Sequence, residues 1–138
     1  MQKLTPEQKR QKLFEIIRDK GIVFREVKLS NGSISKYYYD IKLVVNDPEG
    51  VALIGELMFN KIYNMKGNGE SKIKSVGGLE IGAIPIATAI LSFSALLRAE
   101  HALSGFFVRK NPKTHGLEKK VEGKPETPLV VVDDVITT

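Results

Sequence analysis

Val130-Val131-Val132-Asp133-Asp134-Val135-Ile136-Thr137-Thr138 is an apolar run that stops at two adjacent carboxylates and continues into a hydroxyl-bearing turn. Three consecutive valines fit the middle of a fully buried parallel strand, so Asp133 and Asp134 fall where such a strand ends. Open α/β sheets bind their ligands at that edge. Two acids there suit the hydroxyls of a phosphorylated sugar, held directly or through Mg²⁺, and Thr137 and Thr138 with their backbone N–H groups suit its phosphate. An Asp pair alone would equally well cap a following helix. The complete string of strand, acids and threonines favours the sugar site.

The chain leading up to this motif has the matching rhythm. After residue 70, short apolar runs alternate with a longer helical stretch, as in a parallel sheet with crossover connections. Strands are predicted at Ile73 to Val76, Gly105 to Val108 and Leu129 to Val132, with a helix from about Pro85 to Ala99 joining the first two. Each predicted strand runs into residues suited to anions or hydroxyls: Gly77-Gly78, then Arg109-Lys110, then Asp133-Asp134. The segment Arg109-Lys110-Asn111-Pro112-Lys113-Thr114-His115-Gly116 has the composition of a solvated loop. Its position gives it a second reading. Cations beside the acid edge can neutralise a departing diphosphate and exclude water when the loop closes, with Lys113 and His115 as the tips and His115 able to donate a proton near neutrality. Gly77-Gly78 is a weak signal that marks either a tight turn or a close approach of backbone to ligand.

The first half reads as a cover for this sheet. Thr5-Pro6-Glu7-Gln8 carries a helix cap, a proline at the first helical position and a capping-box glutamine, which predicts a helix to about Lys20 with Gly21 as its stop and Leu13, Ile16 and Ile17 facing the core. Ile22 to Leu29 and Ile34 to Tyr39 read as extended, with Asn31-Gly32 as a hairpin turn. Asp47-Pro48-Glu49 starts a second helix whose apolar stripe is Val51, Ile54, Leu57 and Met58, ending before Gly67-Asn68-Gly69. Lys36-Tyr37-Tyr38-Tyr39-Asp40 fits either an amphipathic strand with one buried face or an aromatic segment lining a pocket for a flat, polar ring. The expectation is one domain over residues 1–138, with an N-terminal part at 1–70 and a sheet core at 71–138.

Composition narrows the chemistry. The 138 residues contain no cysteine, which excludes disulfides and thiolate sites, and only His101 and His115, which argues against a histidine metal cluster. Ile81 to Leu97 is 17 residues long and contains Gly82 and Pro85, short of the about 20 apolar residues of a membrane span. The start of the chain is charged rather than signal-like, so an intracellular, cytoplasmic protein is expected. The net charge of +5 comes from 21 basic residues interleaved with 16 acidic ones, the pattern of a solvated surface rather than a nucleic-acid stripe.

Taken in order, these segments resemble the orotate phosphoribosyltransferases, members of the type I phosphoribosyltransferases. The resemblance is carried by Ser35-Lys36-Tyr37-Tyr38-Tyr39-Asp40, Asp47-Pro48-Glu49-Gly50, Val76-Gly77-Gly78-Leu79-Glu80-Ile81-Gly82-Ala83-Ile84-Pro85, Phe107-Val108-Arg109-Lys110 with Lys113, His115 and Gly116, Val121-Glu122-Gly123, and the acid motif. It implies an α/β fold with a parallel sheet and a hood of N-terminal helix and β-hairpin. It also implies Mg²⁺-dependent transfer of ribose 5-phosphate from 5-phosphoribosyl 1-diphosphate (PRPP) to orotate, giving orotidine 5′-monophosphate and diphosphate in pyrimidine synthesis. By the same resemblance Asp133 and Asp134 hold the ribose hydroxyls, Thr137 and Thr138 begin the 5′-phosphate loop, and Arg109, Lys110, Lys113 and His115 serve the diphosphate. Tyr38 and Tyr39 border orotate, and Lys113, His115 and Asp134 carry the catalysis. Mg²⁺ is held mainly by PRPP, with Asp133 and Asp134 as further ligands. A homodimer is implied, in which the loop 109–124 reaches the neighbouring site. Some family members carry lysines where Ser30 and Gly82 stand, and members continue past Thr138 with a glycine, a helix and further strands, so the C-terminal part of the fold is expected to be missing here. The acid motif alone would also fit a phosphoribosyltransferase for another base, or a PRPP-sensing regulator of the same fold.

Overall fold

The computed structural model of the chain describes residues 4–28, 32–65, 72–97, 102–111 and 119–135. Helix α1 (Pro6–Lys20) begins as its sequence predicts: Thr5 Oγ1 accepts from the Gln8 N–H at 3.2 Å and Gln8 Oε1 accepts from the Thr5 N–H at 2.8 Å, a closed capping box. Ile16 is buried, and Leu13 and Ile17 pack beside it. The extended region that follows is two short antiparallel ladders rather than one continuous hairpin. Strand β1 (Ile22–Val23) pairs with β4 (Tyr38–Tyr39), and β2 (Val27–Lys28) pairs with β3 (Ile34–Ser35). Phe24 and Ile34 are largely exposed, while Ile22, Val23 and Val27 are half-buried. Gly32 has the positive φ of 86° expected of a turn glycine, while Ser30 and Asn31 lie outside the described residues.

Asp40 caps an additional helix that the sequence reading does not contain, α2 (Ile41–Val45). Helix α3 (Pro48–Tyr63) then starts at the predicted Asp47-Pro48 pair, with Asp47 Oδ1 accepting from the Gly50 N–H at 2.9 Å. Its buried face is turned from the predicted stripe. Leu53, Ile54, Phe59 and Ile62 are buried, whereas Val51, Leu57 and Met58 are only partly so. The reason is that α3 is packed from two sides, by α1 and by α4 (Ala83–Leu97), which widens the apolar arc beyond a single-sided stripe.

The main sheet consists of β5 (Ser75–Leu79), β6 (Ser104–Val108), β7 (Val121–Gly123) and β8 (Leu129–Val131), in the order β7-β6-β5-β8. Both β6 and β8 run parallel to β5, and β7, which falls within the predicted loop 109–124, lies antiparallel on β6. Helix α4 connects β5 to β6 and packs on both of them and on α3. The core joins the helices to the sheet through Val44, Phe59, Val76 and Ile90. Ser75 is fully buried but satisfied, donating to the Glu126 carbonyl at 2.8 Å and accepting from the Glu126 N–H at 3.0 Å, which ties the approach of β8 to the start of β5.

Two expectations about the sheet are corrected. Gly77 and Gly78 lie inside β5, not in a turn after it. A β-carbon on Gly77 would stand 1.9 Å from the Phe106 carbonyl oxygen and one on Gly78 would stand 2.2 Å from that of Val132, so neighbouring strands account for both glycines. The triple-valine strand is parallel but not fully buried, because among the described residues it pairs only with β5. Val132 is buried and Val131 is 67% exposed.

Candidate active site

The register brings three strand ends to one edge. Leu79 lies opposite Val108, Gly77 opposite Val131, and the ladder extends by one bond from the Val132 N–H to the Gly77 carbonyl at 2.8 Å. Glu80, Arg109 and Asp133 therefore leave the sheet on the same side. From β5 the chain crosses through α4 to β6 on one flank, while β8 sits on the other. The carboxyl-end crevice between β5 and β8 is thus a point where strand order reverses, the usual place for a ligand in an open α/β sheet.

Asp133 and Asp134 occupy that crevice. Asp133 Oδ1 accepts from the Asp134 N–H at 2.9 Å, which holds the turn after the strand. The residue pressed against them is Gly82, where a β-carbon would lie 2.2 Å from Asp134 Oδ1 and 2.9 Å from Asp133 Oδ1. Lys42 of α2 stands on the opposite oxygen, with Nζ 3.5 Å from Asp134 Oδ2 and 3.4 Å from Asp40 Oδ1. Burial works against charge on this ammonium, but Asp40, Tyr38 and Asp134 outweigh it and the Lys42 pKa is raised. Sequence reasoning missed Lys42, since nothing local marks it apart from its place two residues after the capping Asp40.

Arg109 and Lys110 leave β6 at the same edge and are tethered by acids. Arg109 Nε donates to Glu122 Oε1 at 3.0 Å and its guanidinium lies 4.0 Å from Glu80 Oε2, while Glu80 Oε1 accepts from the Lys110 N–H at 3.0 Å. Strand β7 supplies Glu122, so the unpredicted antiparallel pairing is what positions it. Tyr38 and Tyr39 pair with Val23 and Ile22, and with Tyr37 they are 38–49% exposed, so the amphipathic strand with a buried face is not observed. Lys113, His115, Thr137 and Thr138 lie outside the described residues.

Other clefts lie away from this edge. One of about 310 Å³ is at the amino ends of β5 and β6, near Lys72 and Ser104, and one of about 700 Å³ lies between α3 and α4. Neither is lined by an acid of the motif. Among the described residues no helix is long and apolar enough to cross a membrane.

No protein-family model matches the chain. It is 39% identical over 135 residues to the orotate phosphoribosyltransferase of Rhodopseudomonas palustris strain BisB18, covering 94% of this chain and 68% of that protein. Its fold is similar to that of Mycobacterium tuberculosis H37Rv orotate phosphoribosyltransferase. The complex with Fe(III) dicitrate gives a TM-score of 0.68 at 34% identity, covering 94% of this chain and 69% of that one. The complex with PRPP gives 0.62 at 30% identity, covering 91% and 64%. Helices over a mostly parallel sheet, with an acid pair in the switch-point crevice, place the chain among the type I phosphoribosyltransferases. It spans about two thirds of the length of that Rhodopseudomonas palustris relative, 68%. The chain belongs to the orotate phosphoribosyltransferase family.

Proposed function

We propose that the chain transfers ribose 5-phosphate from PRPP to N1 of orotate, and that the crevice between β5 and β8 is where the ribose sits. The observation that carries the reading is the acid pair itself. Asp133 and Asp134 leave the sheet at its switch point, with Gly82 clearing space against them and Lys42 supplying the opposite charge. In the reaction the bond from C1′ to the diphosphate oxygen breaks with its electron pair going to diphosphate, the N1–C1′ bond forms, and N1 loses its proton. No protein nucleophile is needed. Catalysis comes from holding the reactants in line and balancing charge as the sugar becomes cationic and the diphosphate departs.

Each group has a place in that scheme. Asp133 and Asp134 accept hydrogen bonds from the ribose hydroxyls, with Asp134 beside the developing positive charge. Thr137 and Thr138 hold the 5′-phosphate, and Tyr38 and Tyr39 border orotate. Arg109, Lys110, Lys113 and His115 receive the diphosphate. In the free chain Arg109 is occupied by Glu122 and Glu80. Partly exposed ion pairs contribute only about 0–1 kcal/mol, so a diphosphate can take the guanidinium from them at small cost. The donor set fits Mg²⁺, which is commonly held by one or two carboxylates together with substrate phosphates, and when bound it supplies charge neutralisation on the diphosphate. A cytoplasmic homodimer, with the segment between β6 and β7 reaching the partner's site, belongs to the same proposal.

The test is Mg²⁺-dependent diphosphate release from PRPP, with orotate compared against uracil and adenine. Release with orotate alone is expected. Equal release with another base would reassign the substrate, and tight PRPP binding with no release for any base would favour a PRPP-binding regulator.

A further inference from the structure

Lys42 belongs to neither the acid motif nor the cationic loop, yet its ammonium reaches Asp134 across 92 positions of sequence. The helix that carries it is anchored. Val44 and Val45 of α2 are buried, and a β-carbon at Gly21 or Gly50 would stand 3.0 Å from Val44 Cγ2 or 2.4 Å from the Val44 carbonyl oxygen. At the other end the Asp40 N–H donates to the Gly21 carbonyl at 2.8 Å, and Asp40 Oδ1 accepts from the Lys42 N–H at 3.3 Å. The half-exposed side chain thereby brings its ammonium between Asp40 Oδ1 and Asp134 Oδ2, at 3.4 Å and 3.5 Å. These are ion-pair distances rather than tight hydrogen bonds, as suits a cation spanning two acids.

The two oxygens of Asp134 consequently have different surroundings. Oδ1 lies over the backbone of Gly82, where a β-carbon would stand 2.2 Å from it, and Oδ2 faces Lys42. Asp133 stands next in sequence, and two neighbouring carboxylates repel each other when no cation is near.

We propose that Lys42 is a positioning residue: it fixes the Asp134 carboxylate, Oδ2 toward the ammonium and Oδ1 over Gly82, in the orientation that receives the sugar hydroxyls. This rests on the proposed function, since it takes Asp134 as a ribose ligand. It also gives α2 a task, which is to connect the aromatic ribbon at Tyr38-Tyr39 to the acid edge through a single charged side chain.

The experiment is a double-mutant cycle on PRPP affinity, measured by calorimetry with Mg²⁺ present, on the unsubstituted chain, Lys42→Met, Asp134→Asn and the double variant. Lys42→Met is expected to loosen PRPP about tenfold, and the double variant to be no weaker than Asp134→Asn alone, because Lys42 acts through that carboxylate. Lys42→Arg should recover most of the loss, and KM for orotate should stay within about twofold. Unchanged PRPP affinity in Lys42→Met, or additive losses in the double variant, would overturn the proposal. So would a rise in orotate KM alone, which would make Lys42 a direct contact of the base. Thermal melts check that each variant folds, and Lys42→Gln takes the place of Lys42→Met if the latter does not. If the unsubstituted chain fails to bind PRPP, the functional reading itself fails, an outcome distinct from normal PRPP binding by Lys42→Met.

Discussion

At position 82 a hydrogen stands where any other residue would carry a β-carbon 2.2 Å from Asp134 Oδ1. The atoms it would meet are side-chain ends in an open crevice, so they can move aside without disturbing the core, but only by leaving the positions in which the proposed site has them meet a sugar. Gly82→Ala is therefore expected to weaken PRPP binding and to cut turnover by up to about a hundredfold, the loss that a misplacement near 1 Å can cause, while the melting temperature stays close to that of the unsubstituted chain. Calorimetry and a thermal melt on the same sample separate the two. A large loss of stability at unchanged affinity would place Gly82 in the scaffold instead. Asp133→Asn tests the neighbouring acid in the same way: it keeps the shape and the acceptor for the Asp134 N–H, so it should weaken PRPP binding with little effect on folding. Unchanged affinity would remove Asp133 from the ribose site.

Elements with strong local signals were legible in the sequence, and those built by distant partners were not. The capping box at Thr5-Gln8 and the Asp47-Pro48 start fix α1 and α3 because their hydrogen bonds close within three residues. Strand β7 and its Glu122 depend on β6, and the five residues of α2 are too few to show a helical period. Gly77-Gly78 reads equally as a tight turn or as a close approach of backbone to a ligand, because glycine marks any close backbone approach, and here the approach is to neighbouring strands. Only the Phe106 and Val132 carbonyls distinguish them. Gly77→Ala is expected to cost about 1–3 kcal/mol or more, since the obstacle is the backbone of the adjacent strand, which cannot turn away like a side chain. A denaturation midpoint within error of the unsubstituted chain would show that β5 and β6 are not held this close. The α3 cap also predicts a pH dependence. The Lys20 ammonium, which donates to Asp47, holds that carboxyl below its ordinary 3.8, aided by the Gly50 N–H. A carboxyl depressed on folding stabilises the native state above its unfolded pKa and loses that contribution as pH falls through the folded value, here below about pH 4. Asp47→Asn keeps an acceptor for Gly50 but cannot titrate, so its melting temperature should fall less steeply than that of the unsubstituted chain between about pH 4 and 2. Equal slopes would assign the acid sensitivity to other carboxylates.

At the scale of the molecule, the charges that the proposed reaction uses are separated. The acids stand in the crevice between β5 and β8, while the cationic loop leaves β6 on the far flank of β5, where Glu80 and Glu122 hold its first residue. A loop that starts on one flank can serve the acid crevice of its own chain or, in the proposed homodimer, that of the partner. The two alternatives differ in a mixing experiment. Lys113→Ala should cut turnover far more than stability, because in the proposed reaction its charge supports the leaving group rather than the core, and Asp134→Asn should do the same from the sugar side. Each variant alone is expected to be nearly inactive. If the loop serves the partner's site, random pairing makes half of the dimers mixed, and in each mixed dimer one site combines an intact Asp134 with an intact Lys113. An equal mixture then recovers roughly a quarter of the unsubstituted activity. If the loop serves its own chain, every site in every dimer retains one defect and mixing recovers nothing. Recovery near a quarter, measured as orotate-dependent diphosphate release after subunit exchange, would establish a shared site; none, in dimers shown to have exchanged, would assign Lys113 and Asp134 to one and the same chain.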